Sequence, residues 1–307
     1  MKRFVKFILK WVMIFIVVSI LVFSISRMAP GSPVDRLLAA HQLPKTEENV
    51  AALEKNWGLD RSLPEQYLHW ITNFLKGDWG KSMETKRDIK YEFVSKLPYS
   101  LTIGMGGVVS SAIIAFFLGY LAALKDNGIF DKITRFLSLF ALTVPNFIMS
   151  VIIIYFIGVK FQLTKFFTGD GKSSVIVATG LMCFYLVGRF SRIVKTHFRE
   201  QMNESYIKFA ISRGFNKNLV LLKHGYKPVL YGLLSVVISN FAWVLGGSSV
   251  LEFAFGIPGI SFFLINSLKA NDYYVIQSYI MVIVIWMFFV HLVFNEVLRA
   301  LDVREKR

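Results

Sequence analysis

A single cysteine, Cys183, stands in this 307-residue chain inside an apolar stretch, so neither an internal disulfide framework nor a thiolate metal cluster can be built from it. Histidine is scarce as well. The five histidines, His41, His69, His197, His224 and His291, form no H-E-x-x-H pattern and no pair at ligand spacing, which leaves no metal centre to expect. Charged residues make up only 18%, against 54% hydrophobic and 15% aromatic residues and a mean hydropathy of +0.52. Acid is the scarcer sign: 20 Asp/Glu face 35 Lys/Arg, for a net charge of +15. A water-soluble domain of this length carries more polarity. The hydrophobic residues also fall in long blocks rather than at amphipathic spacing, which points to a membrane as solvent.

No phosphate-cradling loop is present either. Gly171-Lys172-Ser173 matches the tail of G-x-x-x-x-G-K-[ST], but Phe166 occupies the position of the first glycine. Gly247-Ser248-Ser249 does not satisfy G-x-S-x-G, and small residues there suit close helix packing. Ionisable residues are nearly missing from the apolar blocks, which argues against a membrane enzyme and against a lone channel or ion-coupled transporter. No catalytic residue, metal or cofactor is expected in the chain.

What is there is an ordered alternation of apolar runs and charge. Lys2, Arg3, Lys6 and Lys10 precede an apolar run from Trp11 to Ile25, with no small-residue cleavage site after it, so a retained first span is expected. Further runs cover 100–124, 133–159, 175–187, 229–251 and 273–293. Most reach the roughly 20 residues that a hydrocarbon core of about 30 Å requires, which makes about six transmembrane helices the expected count. Residues 28–98 hold ten Lys/Arg and ten Asp/Glu, whereas 189–228 hold nine basic residues against two acids. Basic short segments beside spans are cytoplasmic by the positive-inside rule. Both termini are therefore expected in the cytoplasm and residues 28–98 outside, with the net positive charge assigned to membrane topology rather than to nucleic acid.

The expected organisation is all-α: an N-terminal anchor over 1–28, an extracellular helical cap over 29–99, and a five-helix membrane core over 100–307 with a cytoplasmic loop at 189–228. In the cap, Leu63, Tyr67, Trp70, Ile71, Phe74 and Leu75 recur at helical spacing after Pro64, a stripe better suited to packing than to substrate. In the loop, residues 204–224 read as a helix, a stop at Gly214 and a second short helix begun near Asn216. Ala210 and Gly214, four apart, leave one face bare for a partner. The same basic segment also suits anionic lipid headgroups, and both readings stay open from the residues.

Along nearly its whole length the chain resembles the permease subunits of bacterial ATP-binding-cassette importers, specifically the B-type subunit of the oligopeptide, dipeptide and nickel branch. The resemblance is carried by Met28-Ala29-Pro30-Gly31-Ser32-Pro33, Gly58 to Tyr67, Gly77-Asp78-Trp79-Gly80-Lys81-Ser82, Leu97 to Leu101, Val144-Pro145-Asn146-Phe147, Gly188 to Arg192, Glu252 to Gly259 and Asp302-Val303-Arg304. It implies that Tyr206, Ala210, Arg213, Gly214 and Phe215 belong to a loop that couples to a partner ATPase. Lys208 and Phe209 depart from the Glu and Ala usual there, and Gly232 stands where a proline is usual. It further implies a second homologous permease, two ATP-binding subunits, an extracellular solute-binding protein and surrounding lipid, with ATP held by the partners. The implied cargo is an oligopeptide or dipeptide, with nickel or a metal chelate as the alternative, moved by alternating access across the bacterial plasma membrane. From the residues themselves, Glu252, Phe255, Gly256, Pro258 and Gly259 form a helix break that is either an outer gate or a structural turn.

Overall fold

The computed structural model describes residues 2–28, 34–35, 37–38, 42–166, 171–242 and 244–301. The Ala29-Pro30-Gly31-Ser32-Pro33 stretch and Asp302-Val303-Arg304 lie outside them. The fold is all-α; among the described residues the β contribution is one isolated bridge between Lys81 and Asp88.

Two compact units are present, one formed by residues 1–97 with 263–288 and the other by 98–262 with 289–307. The first begins with α1 (Lys2–Met28), followed by α2 (Glu47–Trp57) and α3 (Leu63–Lys76). Capping explains the two short helices. Thr46 Oγ1 accepts the Asn49 N–H at 3.3 Å, and Ser62 with Glu65 forms a capping box. Each helix stops at a left-handed glycine, Gly58 at φ 63° and Gly77 at φ 88°. Trp70, Ile71 and Phe74 bury against Val22, Phe23 and Met281, while Leu63 and Leu75 of the same stripe remain exposed. Tyr67 packs against the same cluster, so four of the six stripe positions find the apolar neighbours that the periodicity suggested, from α1 and from Met281.

Asp272 caps the start of α14 (Tyr273–Leu301), accepting the Val275 N–H at 3.4 Å. Its other oxygen accepts the Ser82 hydroxyl at 2.6 Å and the Glu84 N–H at 3.4 Å, which ties the 81–88 loop to the helix start. Burial pushes this carboxyl above its ordinary value of 3.8, outweighing the hydrogen bonds that pull it down.

The second unit is organised on α7 (Lys172–Asn203), against which α4 (Ile89–Leu124), α5 (Ile129–Thr143) and α10 (Tyr226–Ala242) lie. Small residues set how closely the backbones approach, as expected where lipid supplies no hydrophobic driving force between helices. A Cβ on Gly188 would stand 2.5 Å from the Leu137 carbonyl carbon, and Ser138 donates its hydroxyl to the Gly188 carbonyl at 2.5 Å. A Cβ on Gly119 would stand 2.6 Å from the Ser191 carbonyl oxygen. At the start of α5, buried Asp131 accepts Lys195 Nζ at 2.6 Å, Arg135 Nη2 at 3.0 Å and the Asn127 N–H at 3.0 Å.

Among the described residues, four helices are long and apolar enough to cross a membrane: Val5–Met28, Ile89–Leu124, Lys172–Asn203 and Tyr273–Val297. Two bent pairs bring the total to as many as six if each counts as one span. The run 133–159, expected as one span, is one of these. It divides into α5 and α6 (Asn146–Ile153, continued by a π-helical turn Ile154–Lys160), bent by 99°. The cause is Pro145, which has no N–H to give and forces Val144 into extended backbone at φ −99°, ψ 115°. The Val144 carbonyl freed by the bend accepts the Tyr185 hydroxyl at 2.8 Å.

Gly188→Ala is expected to lower stability by about 1–3 kcal/mol, because its neighbour is backbone that cannot swing aside. Ser138→Ala is expected to cost about 0.6 kcal/mol, the usual value for one interhelical hydrogen bond in a membrane protein. Thermal unfolding of the detergent-solubilised chain measures both, and equal losses would contradict the close-approach account.

For Asp272 the raised carboxyl sets the sign: its contribution is complete below the free side chain's 3.8 and is lost as pH rises through the higher folded value. Asp272→Asn should flatten that pH dependence. Hydrogen exchange of the Glu84 and Val275 amides, corrected for intrinsic rates, reads the effect, and an unchanged slope in the variant would refute it.

Candidate functional site

The first candidate is the break that follows α11 (Val244–Gly247) and α12 (Ser249–Ala254) and precedes α13 (Ile260–Ala270). Gly256 ends α12 in the left-handed region at φ 64°, with the Ile257 N–H returning to the Glu252 carbonyl at 2.8 Å. Pro258 then prevents the helix from resuming at once. A new helix start exposes backbone N–H groups that hydrocarbon cannot satisfy. Here three are met by side chains. The Ile260 N–H donates to Ser100 Oγ at 2.9 Å, and the Ser261 and Phe262 N–H groups both donate to Glu252 Oε2 at 2.9 Å.

Glu252 is fully buried, and its other oxygen accepts the Ser248 hydroxyl at 2.6 Å. Among the described residues it makes no salt bridge; its oxygens are met by these donors at the start of α13. The carboxylate fits only because Gly259 has no side chain. A Cβ there would overlap Glu252 Oε2 and stand 2.7 Å from Ser100 Oγ. Phe255 is buried against Phe166, with ring centroids 5.3 Å apart, in a cluster with Ile103, Leu181 and Ile257. Of the five residues read from the sequence at this break, Glu252, Phe255 and Gly259 are therefore packed inside, whereas Gly256 and Pro258 are exposed. Sequence reading missed Ser100, Ser248 and Ser261; the signal available for Ser248 was its place one turn before Glu252 inside an apolar run.

The second candidate is the turn between α8 (Ser205–Ser212) and α9 (Lys217–His224). Gly214 lies at φ 85°, and two hydrogen bonds close the helix end, Gly214 N–H to Ile211 O at 2.9 Å and Phe215 N–H to Ala210 O at 3.3 Å. Asn216 then caps α9, its side chain accepting the Asn218 N–H at 2.9 Å. Three buried side chains, Ile207, Val220 and Leu221, fix the pair from beneath. The Tyr120 hydroxyl holds the Asn218 carbonyl at 3.0 Å, and the Tyr206 hydroxyl bonds Gln201 Oε1.

The outer side of this pair is apolar and uncovered: Phe209 is 62% exposed, Phe215 61% and Leu219 66%. Arg213 lies over the Phe209 ring at 5.7 Å. Ala210 is half-buried, and nothing lies within 4 Å of a Cβ built on Gly214. All five residues read from the sequence here, Tyr206, Ala210, Arg213, Gly214 and Phe215, share one surface element. Gly232, where a proline was anticipated, faces the His197 imidazole so closely that any Cβ would overlap it.

Long apolar helices, internally satisfied breaks and an exposed apolar turn define an all-α polytopic membrane protein. The chain belongs to the binding-protein-dependent transport system inner membrane component family, which matches residues 115–307, and the corresponding N-terminal region matches residues 1–103. It is similar to the nickel import system permease protein NikB of Staphylococcus aureus strains bovine RF122 / ET3-1, MRSA252 and USA300. Each is 25% identical over 298 residues, covering 97% of this chain and 90% of the relative. The protein is therefore a B-type permease subunit of an ATP-binding-cassette importer, in the oligopeptide and nickel branch, and a multi-pass component of the inner membrane. Such a permease works with ATPase and binding-protein partners.

Glu252→Ala leaves two backbone N–H groups without their acceptor, each worth about 1–3 kcal/mol when buried, while the Ser248 hydroxyl keeps the Val244 carbonyl at 3.3 Å. Glu252→Gln keeps one oxygen acceptor and should lose less. The check is amide exchange at Ser261 and Phe262 alongside thermal unfolding: faster exchange at those two amides in Glu252→Ala is expected, and unchanged protection would show that Glu252 does not hold the break.

Proposed function

We propose that this chain forms one half of a solute path, paired with a second homologous permease and driven through its α8–α9 turn by one of two partner ATPases. Both termini and the turn lie on the cytoplasmic side in this reading, supported by the basic excess of 189–228. The observation that carries the proposal is the uncovered apolar surface of Phe209, Phe215 and Leu219 on a rigid, capped turn. ATP-driven closure of the ATPases would move this element, and the membrane helices would switch between inward and outward openings. The Gly256–Gly259 break is the proposed point at which the path constricts, since a satisfied break lets two rigid helix segments change angle without exposing unpaired amides.

For cargo, the motif resemblance supports oligopeptides or dipeptides. A second reading, nickel or a metal chelate, is favoured by the nickel import role of the similar Staphylococcus aureus permeases. ATP turnover of the reconstituted importer, stimulated by its binding protein loaded with a dipeptide or with chelated nickel, separates the two cargoes.

Ala210→Asp should weaken ATPase docking by two or more orders of magnitude, because an unpaired charge partly buried in the contact costs about 3 kcal/mol. Gly214→Val should act through strain, since a β-branched residue does not tolerate φ 85°. Copurification of the ATPases and transport by the reconstituted complex measure the effect. Normal docking and transport in both variants, with loss confined to Lys217→Glu and Lys223→Glu, would assign the turn to lipid headgroups instead.

A further inference from the structure

In the second unit, the C-terminal half of α7 keeps one face open. Gly188 and Lys195 turn it toward α5, and His197 faces Gly232 of α10. At 3.6 residues per turn, positions 189, 192, 196 and 200 fall between those two contacts, and all four are exposed. They carry Arg189, Arg192, Thr196 and Glu200. The Glu200 carboxylate is engaged by the His197 imidazole at 2.9 Å. Among the described residues the guanidinium of neither Arg189 nor Arg192 has a hydrogen-bond or salt-bridge partner, whereas their neighbours Lys195 and Arg199 reach Asp131 and Asp126.

The adjoining helix is polar as well. α10 runs antiparallel to α7, with Gly232 against His197 and Gly225, just before it, against Gln201, which brings Ser235 and Ser239 to the level of Arg192 and Arg189. Apart from Pro228 in the first turn, the exposed side chains of α10 among the described residues are Lys227, Tyr231 and Ser239, and half-buried Ser235 completes the row at four-residue spacing. A lipid face in the same unit has a different composition: between 103 and 124 the exposed residues of α4 are Val109, Ile113, Ile114 and Phe117. Two unpaired arginines beside a row of hydroxyls suit water and an anion rather than hydrocarbon.

We infer that this face lines the inner, water-filled half of the solute path and that Arg189 and Arg192 receive a carboxylate of the passing cargo. The inference rests on the proposed role of the chain as one half of that path. A guanidinium presents paired N–H donors to a carboxylate and repels a bare divalent cation. A peptide therefore meets the requirement directly, and nickel meets it only inside a carboxylate-bearing chelate. The serine hydroxyls donate within their own helix, Ser235 to the Tyr231 carbonyl at 2.8 Å and Ser239 to the Ser235 carbonyl at 3.3 Å, which leaves the arginines as the groups that hold the anion.

The test is cysteine labelling of the assembled importer in proteoliposomes, with and without ATP, in a Cys183→Ala background. Ser235→Cys places the thiol on the open face, and Phe117→Cys on α4 is the control. The probes are two methanethiosulfonates, the anionic ethylsulfonate and the cationic ethyltrimethylammonium. Position 235 should react with both and, relative to their rates on a free thiol, about tenfold or more faster with the anion. Arg189→Gln with Arg192→Gln should abolish that preference, Arg189→Lys with Arg192→Lys should keep it, and position 117 should stay unlabelled. Uptake of alanylalanine or of histidine-chelated nickel, whichever the unsubstituted importer carries with its binding protein, should fall about tenfold in the Gln pair. Equal rates with the two reagents, a preference that survives the Gln pair, or uptake untouched by it would each overturn the inference. Labelling of position 235 by a membrane-permeant maleimide alone would also overturn it, by giving the face to lipid. An importer that takes up neither cargo contradicts the transport reading instead, because the reagent preference still decides the anion site.

Discussion

Hydrocarbon offers no hydrogen bonds, and this one constraint decides where the chain is allowed to leave helical geometry. Each interruption brings its own partner. At Val144-Pro145 the freed carbonyl is taken by the Tyr185 hydroxyl, and at Gly256–Gly259 the freed amides are taken by Glu252 and Ser100. The absence of a side chain at Gly259 follows from the same requirement, because the carboxylate that satisfies the amides occupies the space a Cβ needs. A buried acid in an apolar core is costly on its own, so its retention here is explained by what it satisfies.

The same solvent gives exposed apolar residues two different meanings. On the spans, exposed residues such as Met13 and Phe117 carry no penalty where lipid covers them. On the α8–α9 turn that explanation is weaker, since the element is short and is capped for rigidity rather than shaped as a continuous amphipathic face. Exposed aromatics on a rigid element suit a protein partner, and membership in an importer family supplies one in the ATPase. Ile207, Val220 and Leu221 are buried beneath this surface and anchor it to the second unit.

Much of this was legible from residue order. Long apolar runs and the basic excess of 189–228 identify a polytopic chain, and Gly214 with Asn216 marks the stop and restart that the structure places at φ 85° and at an Asn cap. Prolines were less readable. Pro145 bends its run by 99°, whereas Pro98 sits inside the 36-residue α4 without ending it. The difference lies in neighbours: Tyr185 is available to take the carbonyl freed at Val144, and nothing local in sequence announces it. Contacts such as Ser82 with Asp272 or Asp131 with Lys195 join residues far apart along the chain, so no local pattern reveals them. The aromatic stripe of the cap was read as packing; the structure shows that role for Trp70 and Phe74 and also places Trp70 and Trp79 at a cavity wall.

The central claim is that an ATPase seats on the α8–α9 turn. Site-specific photo-crosslinking in the assembled importer addresses it most directly, with a benzophenone amino acid placed at Phe215 and, as control, at Phe117 on the lipid-facing side of α4. The account predicts a crosslink from position 215 to the ATPase subunit and none from position 117. Crosslinks from position 215 to lipid alone, in a complex that hydrolyses ATP normally, would contradict it.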